Sequence, residues 1–405
     1  MKILFVHQNF PGQFLHVAPA LARRGHDVLG LTVNTNPRKF DVNSARYQYT
    51  GKDITSQTFG LAVRFAESSR RGADVAVAAA QLKKSGFEPD IVFGHIGWGE
   101  GLFLKEVWPK AKKIVYAEFF YSPYGRDTHF DQEFQKDTLN GAIWIKARAA
   151  GMALDLSDAD YAVAPTHWQA STIPGQYQSR MRVIHEGVRT DLIKPNDQAS
   201  FELPEKNLTL KSGDEVFTFV SRNLEPYRGY HIVLRSLPKV LRERKNAHFV
   251  FIGGDGLSYG TPAPGGKSWK ETILDEVRDQ IDPNRVHFVG FLEYSRFLSL
   301  MQISRAHAYL TYPFVLSWSM LEAMSAGALV IGSNTPPVAE VIKHGQNGLL
   351  VDFFDVDGWS NMIIDAMARP EHYAGLRVAA RETAVKGYDL NSVCLPSMIS
   401  FLESI

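Results

Sequence analysis

The sequence predicts an α/β protein built from two parallel-sheet domains. Three observations carry this. Short apolar runs recur along the chain and end in polar or turn residues, as fully buried parallel strands do. Stretches with helical apolar spacing alternate with them across short connections, which makes right-handed strand–helix–strand units. The alternation stops in a polar stretch near mid-chain and then resumes. A length of 405 residues suits two such domains.

The elements are expected in this order. Residues 3–6 form a buried strand, followed by a loop with Pro11 and Gly12. The next helix begins near Val17 or Ala18, because Pro19 is tolerated only in a first turn, and Gly25 ends it. Residues 28–33 are a strand, 75–82 a helix, 90–93 and 113–116 strands, 147–156 a helix, and 160–164 and 182–184 strands. The first domain is expected over residues 1–190. Residues 191–214 carry Pro195, Pro204 and several charges with little periodicity, so they read as a linker. The second domain is expected over 215–385, with strands at 216–220, 248–253, 286–289, 308–310 and 329–331. Its helices are expected at 231–244, 269–280 and 319–326, the last capped by Gly327. Residues 257–268 are rich in Gly, Pro and Ser and read as a loop. The tail, 386–405, reads as an amphipathic helix returning to the first domain. Two such domains facing across a cleft would bind a ligand outside the carboxyl ends of their strands.

Composition narrows the function. Lys and Arg number 44 against 43 Asp and Glu, for a net charge of +1. A dedicated nucleic-acid binder carries a basic excess, so no nucleic acid is expected. A single cysteine, Cys394, excludes a disulfide framework and a cysteine zinc site and fits a reducing compartment. The apolar start is too short for a signal peptide, and no apolar run is long enough to span a bilayer. A cytoplasmic protein is expected, and Asn207-Leu208-Thr209 is a chance glycan triplet.

Three strand-to-helix turns carry the ligand chemistry. The first, Gln8-Asn9-Phe10-Pro11-Gly12-Gln13, lacks the Gly-x-Gly-x-x-Gly of a dinucleotide site. Gly12 alone lets backbone N–H groups approach an anion, or simply makes a tight turn. The second, Ser221 to Gly229, holds Arg222 and Arg228 around a Pro-Gly turn. They could converge on one phosphate-bearing ligand, or serve surface solubility. The third runs from Pro313 to Met324. Its helix start suits an anion, and Ser319-x-x-Glu322 has the spacing of a capping box. Asp355-Val356-Asp357 has the spacing of a metal-binding pair but precedes a helix and reads as a cap. No metal site is expected.

Further motifs give a family resemblance along nearly the whole chain. Ile184-His185-Glu186-Gly187-Val188, Arg222…Glu225-Pro226-Tyr227-Arg228-Gly229, Ile252-Gly253-Gly254-Asp255-Gly256, Val289-Gly290-Phe291-Leu292, Leu321-Glu322-Ala323-Met324-Ser325-Ala326-Gly327 and Asn347-Gly348-Leu349-Leu350-Val351 stand in order. Together they resemble family 4 glycosyltransferases of the GT-B architecture, two Rossmann-like domains facing across a cleft. The resemblance implies retaining transfer of a sugar from a nucleoside diphosphate to a glycan, lipid-linked or other hydroxyl acceptor, with no cofactor. It implies that Glu322 holds the donor ribose, that Arg222 and Arg228 neutralise the diphosphate, and that Gly12, Gly254, Phe291, Leu292, Ser317, Trp318 and Ser319 line the donor site. His95 and Glu118, at the ends of first-domain strands, would serve the acceptor and the donor sugar. Either could instead be a structural group. A peripheral contact with the inner face of a membrane is compatible with a lipid-linked acceptor.

Two departures stand out. Phe314 lies eight residues before Glu322, where the family usually has a first Glu, and Ser317-Trp318 replace a Gly-Leu pair. Residues 254–267 are longer than the family's turn and suit a flap. A sugar-nucleotide epimerase and a non-catalytic sugar-nucleotide binder therefore stand as alternatives.

Overall fold

The computed structural model describes residues 1–51, 53–54 and 58–405. The chain divides into two compact units. One comprises Met1–Glu186 with Cys394–Ile405, the other Gly187–Val393.

The first unit holds a parallel sheet of β1 (Lys2–Val6), β2 (Asp27–Val33), β3 (Asn43–Tyr47), β4 (Ile91–His95), β5 (Lys112–Tyr116), β6 (Tyr161–Ala164) and β7 (Met181–Val183). The strand order is β3-β2-β1-β4-β5-β6-β7. β1 is buried from Ile3 to Val6 and pairs with β2 on one side and β4 on the other. Strand order therefore reverses around β1 and β4, and at such a switch point the loops leaving the two strands diverge and open a crevice. Helix Leu395–Glu403 belongs to this unit. Its Met398 and Leu402 are buried with Ile3, Phe5 and Phe93, each such side chain contributing roughly 1.5–3 kcal/mol.

The second unit repeats the scheme with β10 (Val216–Asn223), β11 (His248–Gly254), β12 (Val286–Gly290), β13 (Ala306–Tyr309), β14 (Leu329–Ser333) and β15 (Leu349–Val351). The order β12-β11-β10-β13-β14-β15 puts its switch point between β10 and β13.

The stretch 191–214, expected as a linker between domains, lies within the second unit. It folds as an antiparallel hairpin of β8 (Ser200–Leu203) and β9 (Leu208–Lys211) inside the second unit. Phe201, Leu203 and Leu210 alternate into that unit's core, and Asn207 takes φ 48° at the turn, a conformation asparagine tolerates. The expected helix at 147–156 is two helices, Leu139–Arg148 and Ala150–Ser157.

Candidate active site

In the second unit the site residues gather at the carboxyl ends of β10, β11 and β13. The turn after β10 closes with Gly229 at φ 72°, and a Cβ there would stand 2.4 Å from Leu310. Only glycine allows both that conformation and that approach. The turn delivers Arg228 into the interior, where it is 7% exposed. Its Nη1 donates to Thr311 Oγ1 at 2.7 Å and to the Val315 carbonyl at 2.9 Å. The rings of Tyr259 and Phe314 lie 5.3 and 5.8 Å from its guanidinium carbon. Among the described residues no carboxylate makes a salt bridge with it, although the buried Glu225 carboxylate on the same turn feels its charge. The surrounding tyrosines raise its pKa, against the opposing effect of burial. A buried cation without a salt-bridged partner is costly, and an anionic ligand would relieve that cost.

Arg222 lies in the last residues of β10 and is exposed. The two arginines thus differ in environment, one exposed and one buried.

The turn after β13 leads into helix Trp318–Ala326, and here the capping-box alternative for Ser319 and Glu322 does not hold. The N-cap is Ser317, whose Oγ accepts the Ser319 N–H at 3.4 Å. Ser319 is already inside the helix, so Ser319 and Glu322 form no capping box. The Ser317 N–H donates to the Tyr309 hydroxyl at 2.6 Å, which fixes the start of the helix. Glu322 Oε1 instead accepts the Tyr294 hydroxyl at 3.0 Å. Burial raises the Glu322 pKa, and that hydrogen bond lowers it only in part. Trp318 is exposed and Ser319 buried.

Phe291 is 72% exposed. A Cβ on Gly254 would stand 2.7 Å from its ring, so the missing side chain lets the ring rest on the β11 backbone. An exposed ring fixed in this way is a stacking platform. Leu292, expected beside the ligand, packs against the hydrophobic core. Phe314 is buried, edge-on to Tyr227 and Tyr259 at 5.1 Å each. Asp355 caps helix Val356–Ala368, its Oδ1 accepting the Gly358 N–H at 2.8 Å.

In the first unit, His95 and Glu118 meet at the ends of β4 and β5. His95 Nδ1 accepts the Gly97 N–H at 3.0 Å, so the ring proton is on Nε2, which faces Glu118 Oε2 at 3.3 Å. Gln13 Nε2 donates to Glu118 Oε1 at 3.2 Å. Gly12, at φ 50°, begins the short turn Gly12–Phe14 beside these groups.

Sequence reasoning missed two members of this cluster. His7 ends the turn side of β1, its ring 5.4 Å from that of His95. Its Nδ1 accepts the Asn9 N–H at 2.9 Å, and burial beside His95 pushes its pKa down to about 3, so the ring is neutral. Glu100 is fully buried. It accepts the Tyr47 hydroxyl at 2.6 Å and the Gln8 N–H at 2.8 Å, which ties the β1 turn to β3. Burial pushes its carboxyl up to about 7. Position could have found His7, which directly follows a switch-point strand.

Comparison with known proteins identifies the family. Residues 24–193 match the glycosyl transferase family 4 group, and residues 201–383 match glycosyl transferases group 1. A glycogen synthase of Mycobacterium tuberculosis is 23% identical over an alignment of 429 positions, spanning 100% of this chain and 95% of that one. A D-inositol 3-phosphate glycosyltransferase of Gordonia bronchialis is 23% identical over 238 residues, 58% of this chain and 50% of the relative. Among solved structures, Anabaena HepE in complex with UDP-glucose superposes with a TM-score of 0.70 at 15% identity, over 100% of both chains. Both sheets have the Rossmann order, and both halves of the sequence match. The chain belongs to the family 4, group 1 glycosyltransferases and has their GT-B fold.

Proposed function

We propose that this glycosyltransferase moves a hexosyl unit from a nucleoside-diphosphate sugar, with retention at the anomeric carbon and without a metal or other cofactor. The acceptor is a hydroxyl of a glycan or lipid-linked molecule bound by the first unit. The observation that carries the donor reading is Arg228, a buried guanidinium with no salt-bridged carboxylate among the described residues, at the switch point of the second sheet. A diphosphate supplies a directly paired anion, with exposed Arg222 as its second cation. Phe291 stacks on the base, and Glu322, held by Tyr294 rather than spent on a helix cap, takes the ribose hydroxyls.

The chemistry follows from these roles. The bond between the anomeric carbon and the diphosphate oxygen breaks, and the electron pair leaves with the diphosphate. Arg222 and Arg228 stabilise that developing charge. The acceptor oxygen attacks on the same face, and its proton passes to the leaving phosphate oxygen. Glu118, oriented by His95 and Gln13, receives sugar hydroxyls by hydrogen bonding. No described helix is long and apolar enough to cross a membrane, and the proposed site of action is the cytoplasm, with peripheral membrane contact where the acceptor is lipid-linked.

A second reading, binding without turnover, is favoured by Phe314, whose ring is packed into aromatic neighbours. A thermal-shift screen of nucleotide sugars tests both, starting with UDP-glucose, followed by turnover with and without acceptors and by the anomeric configuration of the product. Stabilisation by a donor, with transfer only when an acceptor is present, supports transfer. Stabilisation without turnover for any acceptor class supports the second reading, and no stabilisation by any nucleotide sugar removes the donor site.

A further inference from the structure

Residues 255–268 cross the arginine turn on a small set of hydrogen bonds. Asn223 Nδ2 donates to Ser258 Oγ at 2.7 Å, and Asn223 Oδ1 accepts the Gly256 N–H at 3.0 Å. Trp269 Nε1 donates to the Thr261 carbonyl at 2.7 Å. The central tie is unusual. Three successive backbone N–H groups, of Ser258, Tyr259 and Gly260, converge on the single oxygen Glu225 Oε2 at 3.3, 3.4 and 3.5 Å. Successive amides aimed at one point form an anion cradle. Here the chain's own carboxylate fills it. The three bonds are long for N–H···O contacts. Glu225 is 1% exposed, and its other oxygen, Oε1, has no hydrogen-bond partner among the described residues.

This tie holds one side chain over the buried cation. Tyr259 lies against Tyr227 and Phe314, with ring centres 5.4 and 5.1 Å away, and its ring stands 5.3 Å from the Arg228 guanidinium carbon. A ligand anion that reaches Arg228 meets Tyr259 at the guanidinium and Glu225 at the amides behind it.

We propose that Glu225 is the latch of a flap formed by residues 255–268, holding Tyr259 over Arg228 in the nucleotide-free enzyme, and that a phosphate of the incoming nucleoside diphosphate replaces the Glu225 carboxylate on the Ser258, Tyr259 and Gly260 amides. This rests on the donor reading given above. Glu225 and Tyr259 are positioning residues, and the flap amides are a phosphate subsite. The latch reports ligand arrival because one cradle serves two anions in turn.

Amide hydrogen exchange on the full chain tests the proposal, with Glu225→Gln and Glu225→Ala compared with wild type. In the absence of nucleotide, the three amides of Glu225→Ala are expected to exchange at least about tenfold faster, with Glu225→Gln in between. Uridine diphosphate, or the diphosphate the thermal-shift screen selects, is expected to restore their protection in both variants. Tyr259→Ala, which keeps the latch, is expected to leave these amides protected and to speed nucleotide association. Unchanged amide exchange in Glu225→Ala would overturn the latch. Fast exchange that saturating nucleotide does not slow would overturn the phosphate subsite. Failure of the wild-type chain to bind any nucleoside diphosphate would remove the donor reading instead, and the ligand-free exchange would still report on the latch.

Discussion

Tyr294 donates its hydroxyl to Glu322 Oε1 at 3.0 Å, and this bond, rather than a helix cap, sets the position of the carboxylate. On the proposed donor reading, the second oxygen takes a ligand diol. Glu322→Gln is expected to lose roughly 1–2 kcal/mol of donor affinity with little change in melting temperature, since no cap is lost. Tyr294→Phe is expected to weaken the same preference less, because the carboxylate stays but loses its brace. Calorimetry with a ribonucleoside diphosphate and its analogue lacking both ribose hydroxyls measures this. Equal discrimination by wild type and Glu322→Gln would place the residue outside the site.

The two arginines are expected to separate binding from folding. Arg222 is exposed, so Arg222→Ala should cost roughly 1.5–3 kcal/mol of diphosphate affinity at unchanged stability. Arg228 also holds Thr311 and the Val315 carbonyl. Arg228→Ala should therefore lose comparable affinity and also about 1–3 kcal/mol of stability, as two buried acceptors lose their donor. Paired calorimetry and thermal melts check this. Unchanged affinity in both variants would dismiss the diphosphate assignment.

How much of this was legible in the sequence depends on where each residue's partner lies. Buried strands such as Ile3–Val6 announce themselves, because both faces are apolar. The edge strand Asn43–Tyr47 does not, since most of it faces solvent. The hairpin in the supposed linker had a signal, the period-two alternation of Phe201 with Leu203 and of Leu208 with Leu210, which the prolines and charges masked. Arg228 could be named as a cation from its turn, but its burial depends on Thr311 and Phe314, far along the chain. The Tyr294–Glu322 bond and the Glu225 cradle join residues about thirty positions apart, which no local pattern encodes.

Metal is expected to be dispensable. If Arg222 and Arg228 carry the diphosphate charge as proposed, transfer should continue in excess chelator. Initial rates with chelator, and after adding magnesium or manganese, check this. Complete loss in chelator that either metal reverses would mean that the arginines do not carry the leaving group alone.

The His95–Glu118 pair should matter to turnover and not to nucleotide binding. With the proton on His95 Nε2, Glu118 is held as an oriented acceptor. Glu118→Gln turns one oxygen into a donor and removes the charge. It is expected to lower kcat by about 100-fold, while nucleoside diphosphate affinity stays within about twofold. Wild-type kcat in this variant would leave Glu118 a structural partner of Gln13 and His95.

The buried Glu100 carboxylate gives a pH signature of its own. Its folded pKa is raised to about 7 from an ordinary 4.5. The folded state therefore binds this proton more tightly than the unfolded chain. The stability it contributes is complete below pH 4.5 and disappears as pH rises to about 7. His7 acts in the opposite sense. Its pKa is lowered to about 3 from 6.5, so its contribution is present above pH 6.5 and is lost on acidification. The two effects overlap in the wild type, and a difference measurement isolates the first. Glu100→Gln cannot titrate and still offers an acceptor to the Gln8 N–H. The stability of wild type minus that of Glu100→Gln is expected to fall by about 3 kcal/mol between pH 4.5 and pH 8, from the raised pKa and about 1.4 kcal/mol per unit. The His7 contribution cancels because both proteins keep it. Urea unfolding across that range provides the measurement. A difference that stays flat with pH would mean that Glu100 titrates normally and that Tyr47 and the Gln8 N–H compensate its burial in full.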